Sequence, residues 1–233
     1  MKVLTTSKNI QIIWEDNHLL IINKRVGDIV QGDKTKDIPL VEIAKIYLKE
    51  KHQKPGNVFL GVVHRLDRPT TGIVVFAKTS KALSRLNEMF QERNTQKTYL
   101  AIVNQIPPKP SDTLVHFLTR NTQKNISKAH SKEVPNSKKS SLSYELVHTF
   151  EKYFALKIEL HTGRHHQIRA QLSEIGCSIK GDLKYGAARS NPDGGIHLHA
   201  WKLEFIHPVT KEVLSITAPV PNDVLWQKLS NNL

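Results

Sequence analysis

The chain has 233 residues, of which 39% are hydrophobic and 24% are charged, proportions typical of a globular protein with a sizeable core. Its formal net charge of +13 favours a polyanionic partner, because lysines and arginines that neutralise phosphates release condensed counterions. The absence of a signal-peptide apolar run and of a 20-residue apolar stretch, with Cys177 as the single cysteine, argues against membrane and disulfide-bonded classes and predicts a cytoplasmic protein.

The N-terminal half alternates strand-like and helical patterns. Two apolar runs on either side of Glu15-Asp16-Asn17 indicate a hairpin, and Gly27 suits a positive φ after it. Thr79 or Ser80 is a suitable N-cap for a second helix. The predicted elements are a hairpin within residues 10–30, a helix over 39–52, strands over 58–63 and 72–77, a helix after residue 80, and a strand over 99–103.

Residues 120–141 carry many lysines and almost no apolar side chains, which predicts a mobile basic loop. Two interpretations stay open for it. It is either a solvated loop with no specific role or a flexible arm that contacts phosphates. The lysines that would make those contacts are Lys128, Lys132, Lys138 and Lys139.

The C-terminal part is again rich in strands. Strands are predicted over residues 142–149 and 153–160, a helix over 164–174 that ends at Gly176, and two strands within 196–218. We therefore predict an α+β fold in which residues 1–233 form a single catalytic domain.

The first candidate site is the sequence HRLDRPTTG at residues 64–72. Asp67 stands there among cations between two apolar strands. Neighbouring cations favour an ionised carboxylate, which suits a nucleophile or an electrostatic stabiliser. The simpler interpretation is an aspartate that caps a turn and pairs with a nearby arginine.

The second candidate site is TGRHHQIR at residues 162–169, at the predicted start of a helix. Arg164, His165, His166 and Arg169 make this helix end strongly basic, and the helix dipole adds to its attraction for anions. A patch that binds phosphate without chemistry explains the same residues.

Metal and nucleotide sites are weaker alternatives. His165-His166 and the pair His197 and His199 do not match usual zinc spacings, and there is no second cysteine. The sequence also lacks a phosphate-binding loop and a GxSxG nucleophile motif. We predict no metal and no cofactor, and keep a histidine-dependent nuclease as a minor alternative.

Six motifs in order resemble the RluA-type RNA pseudouridine synthases over residues 12–221. These motifs are HRLDRPTTGIVVFAK, KTYLAIV, TGRHHQIRAQL, IKGDLKYG, LHAWKLEFIHP and APVP. The resemblance implies a mixed, mainly antiparallel central sheet with flanking helices in two subdomains around a basic cleft. The segment IIWEDNHLLIINK, which starts at residue 12, is similar to a further motif of the family that precedes these six. Because this motif starts so early, the chain resembles the short branch that lacks an S4 domain.

The resemblance also implies roles for individual residues. Asp67 is the expected catalytic aspartate, Arg169 the arginine that pairs with it, and Tyr99 the aromatic residue against the target base. Arg65 is expected to fill the space that a flipped-out base leaves. The other expected RNA-binding residues are His64, Arg68, Arg164, His165 and Lys24, and Ile179 and Leu198 are expected to line the site.

Two departures from the family pattern change backbone chemistry near the expected site. Arg25-Val26 stands where a proline usually follows Lys24, and Pro69 follows the catalytic motif. Neither removes a catalytic group. The expected function is conversion of specific uridines to pseudouridine in structured ribosomal or transfer RNA, by a monomer without a nucleotide cofactor or a membrane partner. The alternative is an RNA-binding or ribosome-assembly factor of the same fold.

Overall fold

The computed structural model describes residues 4–33 and 35–232. These residues divide into two compact units. The first unit contains the described residues up to Thr95 together with Lys202–Pro219, and the second contains Gln96–Trp201 and the residues from Val220 onward. Two is the number of subdomains that the resemblance implies, and the single catalytic domain over residues 1–233 stays a prediction.

The described residues form eleven strands and four α-helices. The strands are β1 (Ile12–Glu15), β2 (Leu19–Lys24), β3 (Gly61–Val62), β4 (Thr71–Ala77), β5 (Thr95–Val103), β6 (Ser111–Asn121), β7 (Ile126–His130), β8 (Lys138–Thr149), β9 (Phe154–Leu160), β10 (Leu198–Ile206) and β11 (Val213–Thr217). The helices are α1 (Leu40–Lys51), α2 (Ser80–Glu92), α3 (Gln167–Glu174) and α4 (Val224–Ser230), with a single 3-10 turn at Leu183–Tyr185. No helix among these described residues is long and apolar enough to cross a membrane.

The first unit is built on β2 and β4, whose side chains are almost entirely buried. β2 pairs antiparallel with both β1 and β4, while β3 also pairs with β4, and β10 pairs with β11 through its last five residues. The predicted Thr79 cap begins α2, since its side chain accepts a hydrogen bond from the Ala82 backbone at 3.2 Å. Leu86 of α2 then packs into the core beside Leu19 and Val75.

The second unit is a sheet of five antiparallel strands in the order β5-β9-β8-β6-β7. Side chains alternate between the two faces of a strand. Ala101 and Val103 of β5 therefore pack with α3 residues on one face, and Leu100 and Ile102 pack with Trp226 of α4 on the other. The α+β class and the predominance of antiparallel strands are confirmed.

The largest difference from the sequence predictions lies at residues 120–141. Instead of a loop throughout, this segment contains β7, the last residues of β6 and the first residues of β8. Ser127 and Ala129 face the buried side of the sheet, whereas Lys128 between them is exposed. Alternation of buried and exposed side chains with a period of two residues is enough for a strand with one face in solvent. The high charge of the segment makes this alternation hard to recognise in the sequence.

Candidate active site

Asp67 lies in the loop that joins β3 to β4 and is partly buried. A turn follows it directly, in which the Thr70 backbone donates to the Asp67 carbonyl at 3.0 Å. Gly72, with φ of 111°, then carries the chain into β4 with a backbone conformation that favours glycine. The motif therefore contains a backbone turn, and the role of the Asp67 carboxylate stays a prediction.

Lys24 stabilises the backbone of this loop. Its side chain is only 1% exposed. Its ammonium donates hydrogen bonds to the carbonyls of Arg25 at 2.9 Å, Arg68 at 3.1 Å and Thr70 at 2.7 Å. The last two carbonyls flank Asp67 on its C-terminal side, and Gly27 also donates to the Arg68 carbonyl at 2.9 Å. Three carbonyls match the three protons of an ammonium, so Lys24 fixes the backbone beside Asp67.

His64 and Arg65 precede Asp67 and have different surroundings. His64 packs its ring on Phe90, with centroids 4.9 Å apart, and its Nε2 accepts a hydrogen bond from the Val75 backbone at 3.1 Å. These contacts tie His64 to the fold of the first unit. Arg65 is exposed, as a side chain that contacts RNA has to be.

Arg68 is bound to acidic residues of its own unit. Its guanidinium donates to Asp37 at 2.6 Å and to the Thr35 hydroxyl at 2.7 Å, and Asp33 lies 3.7 Å away. The guanidinium of Arg68 lowers the pKa of the Asp37 carboxyl through its hydrogen bond, although that carboxyl is at the surface. A phosphate would have to compete with these carboxylates for Arg68.

Tyr99 lies on β5, partly buried, and packs against the core that faces α3. Its cross-strand neighbour is Ile158 of β9. Ile179 and Leu198, the two residues expected to line the site, belong to the same core and are 1% and 4% exposed. Tyr99 is therefore positioned by the sheet of the second unit rather than by a loop.

The second motif forms a turn before α3 rather than its first helical turn. The predicted start at residue 164 is wrong, because α3 begins at Gln167 and His166 precedes it with a φ of 50°. The Gln167 side chain stabilises this turn by accepting from the Arg164 backbone at 3.0 Å and the Thr162 hydroxyl at 2.7 Å. Arg164 is exposed as a result.

His165 is half-buried and contacts β7 and the turn before it. Its Nδ1 lies 2.8 Å from the Ser127 hydroxyl and its Nε2 lies 3.1 Å from the Asn125 side-chain oxygen. The ring also stacks on His166, with centroids 3.7 Å apart. His165 thus joins the turn before α3 to the β6–β7 hairpin.

Arg169 is buried and pairs with Asp182, a residue that the sequence reasoning did not single out. Its Nε donates to Asp182 Oδ2 at 2.6 Å and its Nη2 donates to Oδ1 at 2.8 Å. The guanidinium also lies over the Tyr185 ring, 4.9 Å from the centroid. Asp182 and Tyr185, which both contact the Arg169 guanidinium, lie in IKGDLKYG, one of the six motifs. That motif is the sequence signal by which these two residues could have been found.

A separate polar cluster surrounds His197. Its ring nitrogens lie 3.1 Å from Asp223 and 2.9 Å from the Asn191 amide, and the Lys180 ammonium donates to Asn191 at 2.6 Å. Burial lowers the pKa of His197 below its usual range, and the positive charge of Lys180 adds to this effect. Among the described residues no three His, Cys, Asp or Glu side chains are grouped as a metal site would require.

The expected site residues thus fall into two groups. Lys24, His64, Arg65, Asp67 and Arg68 belong to the first unit, and Tyr99, Arg164, His165 and Arg169 belong to the second. Within the first unit the structure brings Lys24 to the Asp67 loop, and within the second it joins His165 to the β7 strand. The pairing of Asp67 with Arg169 stays a prediction.

Comparisons with known proteins point in one direction. The family model described as RNA pseudouridylate synthase matches residues 18–174. The ribosomal large subunit pseudouridine synthase D of Nitrosomonas europaea is 33% identical over 95% of this chain and 66% of its own length. Synthase C of Vibrio vulnificus is 32% identical over 90% of this chain and 65% of its own length.

Solved structures show the same fold at lower sequence identity. The structure titled human RNA pseudouridylate synthase domain containing 4 superposes with a TM-score of 0.77 and 23% identity, over 96% of this chain and 92% of that one. The chain spans just under two thirds of the length of the two bacterial relatives given above. A synthase D of Xylella fastidiosa is 33% identical over 92% of this chain and 67% of its own length.

Proposed function

The chain belongs to the RNA pseudouridylate synthase family, and from this premise we propose that it isomerises uridine to pseudouridine in structured RNA. The observation that carries the proposal is the setting of Asp67. This carboxylate is partly buried on a loop whose next carbonyls are bound by the Lys24 ammonium. A side chain on a fixed backbone meets the positional demand of catalysis, where small displacements are costly.

The reaction requires no group that the chain lacks. The N1–C1′ bond of uridine breaks, the base turns, a C5–C1′ bond forms, the C5 proton leaves and N1 gains a proton. Atoms and electrons balance within the nucleotide. An ionised Asp67 either attacks the sugar or the base as a nucleophile, or stabilises charge while the glycosidic bond is broken.

We assign Tyr99 and Arg169 to the same reaction, in the roles that the resemblance implies. Tyr99 lies against the base and takes part in removing the C5 proton, and Arg169 acts with Asp67. A uridine in a helical stem has to leave the stack before C1′ is accessible, at a cost of a few kcal/mol. The exposed Arg65 offsets part of this cost by filling the vacated space.

We propose ribosomal RNA as the substrate class, in the cytoplasm. The Nitrosomonas and Vibrio relatives are named ribosomal large subunit synthases, and the net charge of +13 suits a large polyanion. Transfer RNA is the second candidate. Mapping pseudouridines in RNA from cells with and without the gene distinguishes the two and identifies the position.

The direct test is tritium release from RNA labelled with 5-tritiated uridine, taken from cells that lack the gene. The wild-type protein should release tritium, and Asp67→Asn should lower the rate by at least about a thousandfold, as removal of a nucleophile does. Asp112→Asn, a surface carboxylate paired with Lys109, is the matched control and should behave like wild type. A wild-type protein that binds this RNA and releases no tritium would instead support the RNA-binding or ribosome-assembly alternative.

A further inference from the structure

The contact between Arg169 and Asp182 is a fully formed two-bond ion pair inside the second unit. The side chains are 5% and 2% exposed. The planar guanidinium and the planar carboxylate fix each other in distance and in rotation, which a single hydrogen bond does not. A buried charge of either kind is costly without its partner, so this pair has a strong preference for one geometry.

Tyr185 supports the same guanidinium from its flat side. The aromatic ring lies under Arg169, where its electron-rich face attracts a cation. Tyr185 and Asp182 come from one turn, since the Tyr185 backbone donates to the Asp182 carbonyl at 3.0 Å. One turn of chain therefore supplies both the carboxylate at the edge of the guanidinium and the ring below it.

Gly181 keeps this turn in place. Its φ is 88°, and a Cβ added there would lie 2.8 Å from the Gly195 carbonyl oxygen and 2.5 Å from the Asn191 amide nitrogen. These distances are too short for a Cβ atom. The Gly181 backbone therefore packs directly against Asn191 and Gly195, with no side chain of its own between them. The close approach restricts the freedom of Asp182, the next residue.

The Tyr185 hydroxyl extends the network to β7. It accepts a hydrogen bond from the Ser127 backbone at 2.8 Å and lies 2.9 Å from His166 Nδ1. Ser127 also contacts His165 through its own hydroxyl. The same buried phenol thus connects the guanidinium of Arg169, the turn before α3 and the β6–β7 hairpin.

We propose that Asp182 and Tyr185 are positioning residues that hold the Arg169 guanidinium in its catalytic orientation, and that the Tyr185 hydroxyl couples this orientation to β7. The proposal rests on the role given to Arg169 above. Neither residue has to touch RNA. Their loss therefore slows the chemical step and leaves RNA affinity nearly unchanged.

The test measures single-turnover tritium release from the labelled RNA with the enzyme in excess. The rate at saturating enzyme reports chemistry, and the half-saturating enzyme concentration reports binding. Asp182→Asn should lower the saturating rate by about 10- to 100-fold and change the half-saturating concentration by no more than about threefold. Asp223→Asn is the matched control, because that carboxylate pairs with a buried histidine in the same unit; its rate should stay within about threefold of wild type.

A second pair of variants keeps the proposal testable if Asp182→Asn does not fold. Tyr185→Phe removes one oxygen and leaves the ring under Arg169; it should lower the saturating rate by about 5- to 20-fold. Tyr144→Phe is its control, since that buried phenol donates only to the Lys109 carbonyl among the contacts described for it, at 3.2 Å. Equal rates for the two phenylalanine variants would overturn the proposal.

A double-mutant cycle separates positioning from a general structural role. Lysine in place of Arg169 keeps the charge and loses the two-bond geometry, so Asp182→Asn should cost no more than about threefold in an Arg169→Lys background. The same loss in both backgrounds would show that Asp182 does not act through Arg169. A wild-type protein without any activity would refute the proposed function itself, before these variants are compared.

Discussion

Glu15 offers a sharp test of how the first unit is held together. Its side chain, 9% exposed at the end of β1, lies within hydrogen-bond distance of four donors. Tyr47, Lys51 and His52 of the α1 region lie 3.0, 2.8 and 2.7 Å away, and Lys78 after β4 lies 2.9 Å away. A single carboxylate therefore links three elements of the unit.

The size and sign of its contribution follow from its pKa. Burial alone would raise the pKa of Glu15, and the hydrogen bonds from Lys51, His52, Lys78 and Tyr47 reverse this effect, so the pKa falls from 4.5 to about 2. A depressed carboxyl pKa stabilises the folded state at pH values above 4.5, with an upper limit of about 3 kcal/mol. The stabilisation is lost as the pH falls from 4.5 towards 2.

We therefore expect Glu15→Gln to lower the free energy of unfolding by about 2–3 kcal/mol at pH 7, measured by urea titration. The difference between wild type and variant should narrow as the pH falls from 4.5 towards 2, because the carboxyl binds a proton in the unfolded chain before it does so in the folded protein. Glu42→Gln, which removes an exposed carboxylate paired with Lys45, is the control and should change stability by less than about 1 kcal/mol. A wild-type-to-Glu15→Gln difference that stays constant from pH 7 to pH 3 would refute this reasoning.

Two more predictions follow from buried and exposed lysines. Lys24→Met removes the ammonium that binds three carbonyls, of which the Arg68 carbonyl keeps the Gly27 backbone as a donor. It should cost about 2–4 kcal/mol of stability and slow the saturating rate of tritium release; unchanged values in urea unfolding and turnover would contradict the role of Lys24 beside Asp67. Alanine at the exposed Lys128 and Lys139 should reduce the slope of log affinity against log salt by about 1 for each phosphate that is no longer neutralised. RNA binding measured over a range of salt concentrations checks this, and an unchanged slope would show that these two side chains do not meet phosphate.

The sequence predicted elements well where apolar residues recur over several turns or strand positions. The helix of residues 39–52 and the strand of residues 72–77 match α1 and β4 within a residue or two. The sequence pattern did not indicate β7. This five-residue strand has two exposed or half-exposed basic residues, which leaves too few apolar positions for a recognisable strand pattern. Its partners across the sheet, in β6, decide that it is a strand.

The start of α3 was missed for a different reason. Local composition favours helix from residue 164, but the Gln167 side chain accepts from the Arg164 backbone and donates to the Ser141 carbonyl of β8 at 3.0 Å. These bonds hold residues 164–166 in a turn, with His166 at positive φ. A contact with a strand 26 positions away in the chain is not visible in a propensity pattern.

In the candidate site, too, the sequence indicated which residues could matter but not which residues they contact. The motifs predicted roles for Asp67 and Arg169, and the partners of the surrounding cations come from remote parts of the chain. Arg68 pairs with Asp37, 31 residues before it, and Lys24 reaches the Thr70 carbonyl 46 residues after it. The resemblance implied RNA contacts for both, and within the first unit the fold gives Arg68 a carboxylate partner and Lys24 a set of carbonyls.

Lys24 and Arg169 are both buried, and their cationic groups bind their partners in different geometries. An ammonium has three donors that radiate from one nitrogen, and Lys24 places them on three carbonyls around the loop of Asp67. A guanidinium has parallel donors in one plane, and Arg169 places two of them on one carboxylate. Lysine therefore suits a position where one side chain has to bind several backbone carbonyls. Arginine suits a position where the cation itself has to be oriented. On this reasoning the Lys24 charge is used within the fold, and Arg169 is the cation whose orientation we propose to matter to the reaction.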